Sequence, residues 1–185
     1  KIGLETKLMV MIKAFAYGAG AVEIGQILQQ QGVDYLTVAY TDEGVELRKS
    51  GITLPIMVMN PEKNSFSSIL KYNLEPEIYS LDVLDSFIRA LILHNKKEYP
   101  IHIKLDTGMN RQGIQVHEIQ ELCHTINAQP EVSVASVFSH LAASDDINQH
   151  DFTEQQVNSF YKMNTAIENE IGNKHIKHIL NIVFV

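Results

Sequence analysis

Short β-rich runs alternate with longer helical runs along almost the whole chain, and this alternation restricts the fold more than any single residue does. Leu8 to Ile12 reads as a strand, and Ala21 to Gln31 as a helix with Val22, Ile24, Ile27 and Leu28 near helical spacing. Tyr35 to Tyr40 is the next strand. Asp42 to Ser50 follows as a short helix, with Asp42 as the expected N-cap and Gly51 as its stop. Thr53 to Met59 and Glu77 to Leu81 are expected strands on either side of a weaker helix, Ser65 to Tyr72. Asp82 is expected to cap a helix to Leu93, with Leu84, Phe87, Ile88, Leu91 and Ile92 on its apolar stripe. Ile101 to Leu105 and Val132 to Phe138 read as strands around a helix from Val116 to Asn127. A long helix, Thr153 to Ile171, takes its period from Val157, Phe160, Tyr161, Asn164 and Ile167, with Met163 off the stripe. Ile176 to Asn181 begins a last strand.

Seven strand–helix beats, the last without its helix, predict parallel βαβ units and an α/β class. The strand runs are nearly continuous in apolar residues, as expected when both sheet faces are covered. A doubly wound sheet and a (β/α)8 barrel both fit, and periodicity alone does not choose between them.

Composition disfavours some partners. The formal net charge is -7, which disfavours nucleic acid or an acidic membrane surface, since these call for a surplus of Lys and Arg. Lys96 and Lys97 sit beside Glu98 and read as a solvated helix end. The one cysteine, Cys123, lies in the helical pattern Ile119, Leu122, Cys123, Ile126 and reads as a small buried apolar residue. A single thiol builds no internal disulfide framework, so a reducing cytosol is the expected setting. No run approaches the roughly 20 apolar residues of a membrane span. The start, Lys1 to Lys7, has no signal-peptide form and no initiator Met, which suggests a chain beginning inside a longer protein.

Four polar residues stand at or just past the C-terminal ends of expected strands: Lys13, Arg111, His140 and Asn181. In parallel α/β folds that edge is where ligands bind. Lys13 follows Met9-Val10-Met11-Ile12. A lysine there either reaches out to solvent or faces a cavity, where desolvation favours the neutral, nucleophilic amine. Position alone favours the solvent reading.

The context of these residues is more specific. The segment Lys13-Ala14-Phe15-Ala16-Tyr17-Gly18-Ala19-Gly20 resembles the cofactor-lysine signature of alanine racemases, departing at Phe15 and Ala19, where Asn and His are common. Ile101-His102-Ile103-Lys104-Leu105-Asp106-Thr107-Gly108-Met109-Asn110-Arg111-Gln112-Gly113 resembles the same family's H-x-K-x-D-T-G-M-x-R-x-G block. Phe138-Ser139-His140-Leu141-Ala142-Ala143-Ser144-Asp145 resembles its T-H-[FL]-A-x-A-D block, with small polar changes at Ser139 and Ser144. His178-Ile179-Leu180-Asn181 resembles a fourth block, which the family continues with Ser and small residues where this chain has Ile182-Val183-Phe184-Val185. A weaker match covers Tyr35 to Tyr40, Glu43, Leu47-Arg48, Gly51-Ile52 and Leu54 to Val58. It reads as scaffold, with structural roles expected for Tyr40 and Glu43. From Phe15 through Asn60 the chain looks most like the racemase half of Bacteroidetes-type fusions with a cell-wall peptide ligase.

The resemblance, which covers Lys7 to Asn181, implies an incomplete (β/α)8 barrel of TIM type with about seven strands present. It also implies pyridoxal 5'-phosphate (PLP) as cofactor, no metal, and interconversion of L- and D-alanine for peptidoglycan by a cytoplasmic bacterial homodimer. Lys13 would hold PLP as a Schiff base and Tyr17 would contact its phosphate, beside a glycine turn whose following helix N-terminus favours an anion. Arg111 would donate to the phenolic oxygen, with Lys104 buttressing it, carbamylated in some members. His140 would pack on the ring, and Asn181 would stand near the phosphate. Family members also carry a C-terminal β-domain that brings a second base, a tyrosine, from the partner subunit. An eighth strand and an arginine for the pyridine nitrogen would also lie beyond Asn181. Residues 1–185 are therefore expected to be a partial barrel domain, inactive alone and poorly soluble through open strand edges. Three rival readings are a single-domain PLP carrier on the same barrel, a barrel enzyme with a Schiff-base lysine but no PLP, and a pure interaction module.

Overall fold

Within each of two runs of the chain, an apolar strand pairs in parallel with the next one the chain makes. The computed structural model describes residues 6–172 and 174–179. The chain divides into two compact units, Lys1–Glu77 and Ile78–Val185.

In the first unit β1 (Met9–Met11), β2 (Tyr35–Val38), β3 (Ile56–Val58) and β4 (Glu75–Ile78) lie in sequence order. Parallel neighbours need a crossover. These are α2 (Ala21–Gln30), α3 (Thr41–Lys49) and α4 (Phe66–Lys71). Leu36, Val38, Ile56 and Val58 are fully buried, which accounts for strands without polar alternation. The register runs straight, Met11 against Thr37 and Thr37 against Met57, so successive strand ends finish level. Arg48 of α3 fastens the opposite, N-terminal approach to β3 and β4. Its guanidinium donates to the carbonyls of Ile52, Leu54, Tyr72 and Asn73 at 2.9, 2.6, 3.0 and 3.0 Å. A rigid fork of donors suits four converging backbone acceptors better than an ammonium would.

The second unit holds β5 (Tyr99–Lys104), β6 (Val132–Ser139) and β7 (Ile176–Ile179), again parallel and in order. Its helices are α5 (Leu81–Leu93), α6 (Ile119–Ala128) and α7 (His150–Ile171). The core face of α5 is Val83, Leu84, Phe87, Ile88 and Leu91. Phe87 meets Tyr99 edge to face at 5.6 Å. Burying each of these side chains contributes roughly 1.5–3 kcal/mol before entropy is counted. The expected face of α6 is buried in full, Cys123 included. Burial, with Glu170 adding to it, pushes the Cys123 thiol up to about 11, so it packs rather than reacts.

Several sequence expectations need correction. Ser80, not Asp82, caps α5, its Oγ accepting from the Val83 amide at 3.3 Å, and the preceding strand ends at Ile78, not Leu81. Asp42 lies inside the first turn of α3 instead of capping it. Ile92 and Tyr161, placed on apolar stripes, are both 53% exposed. Met163, placed off the stripe of α7, is buried, and so is Gln156 four residues before Phe160. Among the described residues no helix is long and apolar enough to cross a membrane.

Candidate active site

The first unit carries Lys13 and Tyr17, and both belong to an unusual piece of backbone. β1 stops at Met11, and Ile12 continues the pairing, its amide donating to Thr37 O at 2.9 Å. From Lys13 the chain enters α1 (Lys13–Tyr17), a single turn wound left-handed. Ala14, Phe15, Ala16 and Tyr17 have φ of 51, 57, 51 and 56°. A left-handed turn of non-glycine residues costs roughly 1–2 kcal/mol per residue, so the surroundings must hold it. Part of the compensation is local. Ala16 N donates to Ile12 O at 3.1 Å, and Gly18 N to Ala14 O and Phe15 O at 3.2 and 3.0 Å. Gly18 and Gly20, at φ 94 and 95°, then turn the chain into α2. The turn leaves Lys13 half-buried and Tyr17 and Phe15 68% and 57% exposed.

The remaining support comes from α3. Glu43 Oε1 accepts from the Ala14 amide at 2.6 Å, and Oε2 accepts from Ala39 and Tyr40 amides at 2.7 and 3.0 Å. The expected structural role of Glu43 is therefore present, and it reaches the residue after Lys13. A glutamate in the first turn of a helix, bonding back to the amide before it, is a capping signal legible in sequence. The bond to Ala14 is not.

The second unit carries Lys104, Arg111 and His140. Lys104 ends β5, buried, with its ammonium 5.8 Å from the Phe138 ring centroid. Asp106 then shapes the loop to Arg111. Its Oδ1 accepts from the Gly108 and Asn110 amides at 2.9 and 3.0 Å, and its Oδ2 from Gln115 Nε2 at 2.9 Å. Arg111 itself is exposed on that loop. His140 is half-buried just after β6. Gln156, which sequence reading missed, links the two loops. It is fully buried, donates to His140 O at 3.1 Å and Thr107 Oγ1 at 3.4 Å, and accepts from the Ala142 amide at 2.9 Å. Thr107 and Ser139 hydroxyls meet at 2.8 Å, and Ser139 Oγ donates to Leu105 O at 2.8 Å. The small polar change at Ser139 thus keeps a hydroxyl where one is bonded. A glutamine on the buried stripe of α7 was the available sign of Gln156's role. Asn181, the fourth strand-end residue, lies outside the described residues.

A polar layer crosses the second sheet. His102 Nδ1 and Ser136 Oγ are 2.7 Å apart, and Ser136 Oγ and His178 Nε2 3.3 Å. The His178 ring stacks on Phe138 at 4.7 Å. Burial, and next the neighbouring His102, lower His178 from its ordinary value of 6.5 to about 4. A folded-state value below the unfolded one means the unfolded chain binds the proton first as pH falls. Stability from this ring is therefore present above pH 6.5 and lost progressively towards pH 4. The loss is expected to stay below the roughly 3 kcal/mol of a fully buried group. Urea midpoints from pH 7 to pH 4 read it, and His178→Gln should flatten that part of the slope.

Comparison with known proteins now bears on these arrangements. The family model described as "Alanine racemase, N-terminal domain" matches residues 1–181. The chain belongs to the alanine racemase N-terminal domain family. It is 37% identical over 159 residues to an alanine racemase of Synechocystis sp., covering 84% of this chain and 42% of that protein. It is 36% identical over 180 residues to one of Clostridium kluyveri, covering 96% and 44%. Among solved structures, the alanine racemase of Clostridium difficile 630 in complex with cycloserine superposes with a TM-score of 0.88 at 34% identity, covering 96% of this chain and 49% of that one. The alanine racemase of Streptomyces lavendulae gives 0.87 at 28% identity, covering 94% and 46%. The chain thus spans less than half the length of the curated relatives it matches. Its fold class is the expected one, an incomplete barrel of the alanine racemase type, and alanine racemases are PLP-dependent enzymes.

The donor set fits that cofactor. A primary amine, able to react with an aldehyde, stands at the head of α1, and a phenol, able to donate to an anion, at the foot of the same turn. The N-terminus of the ten-residue α2 follows, with no side-chain cap on its amides.

Proposed function

We propose that this chain is the cofactor-holding part of an alanine racemase that acts, as a full-length homodimer in a bacterial cytoplasm, to supply D-alanine for peptidoglycan. Residues 1–185 are read as one partial barrel domain. The observation that carries the reading is the left-handed turn at Lys13, a strained conformation retained where a reactive amine and a phosphate-binding phenol need fixed positions.

When bound, PLP supplies an electron sink for the pair left at the substrate's α-carbon. Lys13 Nζ would hold the cofactor and would be the base that holds or returns the proton on one face of that carbon. Tyr17 Oη would donate to its phosphate. Arg111 would supply a fixed positive charge to the phenolic oxygen, with Lys104, at the end of β5, buttressing it. His140 would pack against the ring, and its backbone is anchored through Gln156. Asn181 belongs to the same set by its place in the family motif.

The test is direct. The full-length protein with PLP and L-alanine should form D-alanine, read by chiral chromatography. Bound PLP without turnover would favour the single-domain carrier, and no PLP uptake would refute the reading.

A further inference from the structure

We propose that Glu43 is a positioning residue for Lys13: its carboxylate holds the left-handed turn through the Ala14 amide and so sets the direction of the reactive amine. The inference rests on the reading of Lys13 as the PLP-bearing lysine.

Two features of the bonding separate this role from ordinary helix capping. A glutamate that only caps α3 needs one oxygen, on the amides at its own N-terminus. Glu43 does this with Oε2, on Ala39 and Tyr40. Its Oε1 is turned instead to the amide of Ala14, 29 residues away in sequence, at 2.6 Å. Ala14 is the first of the four residues with positive φ, and it directly follows Lys13. Fixing its amide plane fixes the peptide from which the Lys13 side chain departs. The Ala16, Gly18 and Gly20 amides bond locally, to Ile12 O, Ala14 O and Phe15 O. The Ala14 amide takes its partner from α3. Glu43 is itself set by its place in the first turn of α3, with Thr41 of that turn bonded to Ser65 Oγ at 2.8 Å.

Glu43→Gln tests this selectively. A glutamine can keep its carbonyl oxygen on Ala39 and Tyr40 and so still cap α3. Its NH2 then faces the Ala14 amide, donor against donor. The readout is covalent capture in the full-length apo protein. The Lys13 amine adds to the PLP aldehyde, water leaves, and borohydride hydride reduces the C=N bond to a stable C–N link found by peptide mass mapping. At equal folded fraction, Glu43→Gln is expected to slow capture at Lys13 at least tenfold, with a thermal midpoint close to that of the wild type. Equal capture rates would overturn the proposal. Absence of capture in the wild-type protein would instead refute Lys13 as the PLP lysine. Should the variant not fold, hydrogen exchange of the Ala14 amide in the wild-type protein decides. Strong protection supports the clamp, and exchange at the rate of an open peptide overturns it.

Discussion

Lys13→Ala in the full-length protein is expected to lower racemisation by roughly 10³-fold or more, with the fold intact. Loss of a positioned acid–base group alone removes about 10²–10⁴ in rate, and the covalent anchor goes with it. The fold should survive because Lys13 is half-buried and lies beyond the paired residues of β1. Alanine also tolerates the turn no worse than the Ala14 and Ala16 already in it. Lys13→Arg sharpens the test. It keeps the positive charge and most of the side-chain volume, yet a guanidinium does not add to an aldehyde at neutral pH. Both variants should lose capture of PLP and racemisation together. Activity retained by the arginine variant would mean that charge, not amine chemistry, is what position 13 supplies, and the reading of Lys13 as the PLP-bearing base would fail. Kinetics over a range of L-alanine concentrations, with the absorbance of bound PLP read on the same samples, give both answers.

The strand–helix alternation was legible because burial on both faces leaves long apolar runs, and α5 and α6 were legible because their apolar residues recur at helical spacing, with Ile92 of α5 the exception. The start of β4 was not. Glu75 and Pro76 look like a break in the pattern, yet Glu75 accepts from Tyr35 Oη at 3.1 Å, and Pro76 sits opposite Val58 in a parallel ladder. The candidate site divides in the same way. Residue types and spacing pointed to Lys13, Arg111 and His140, since strand ends gather polar residues at one edge of each sheet. What spacing did not encode is how the backbone is held there. Nothing in Ala14-Phe15-Ala16-Tyr17 signals a left-handed turn, because those residues prefer the opposite hand. The sign lies elsewhere, in the carboxylate of Glu43. Gln156 is a similar case. One amide on the buried side of α7 bonds both loops of the second unit, and a glutamine in a helix reads as solvent-facing until its neighbours at Phe160 and Met163 are known to be core. Local propensity and tertiary need conflict at these positions, and such conflicts concentrate where function imposes geometry.

Gly113→Ala should be among the most damaging single-methyl changes in the second unit, costing about 3 kcal/mol. At φ 138° a side chain is strained in any case. The larger penalty is steric. A Cβ here would lie 2.5 Å from the Asp106 nitrogen and 2.7 Å from the Leu105 carbonyl carbon. Both are backbone atoms and neither can rotate away. Relief requires parting the chain where Asp106 N donates to Ile114 O at 3.0 Å and Ile114 N to Lys104 O at 2.8 Å. These two bonds close the loop that carries Arg111, and each is worth about 1 kcal/mol. Overpacking strain of roughly 1–3 kcal/mol remains if they hold. Gly172→Ala separates the two causes. Gly172 also has positive φ, 73°, but a Cβ there meets nothing within 4 Å, so its cost should be the conformational part alone, about 1 kcal/mol. Urea unfolding of both variants measures the difference. A Gly113→Ala midpoint as high as that of Gly172→Ala would mean that the Asp106 and Gly113 backbones do not meet. In the expected case, Arg111 is displaced with the loop, and PLP affinity falls in the Gly113 variant while the Gly172 variant keeps it.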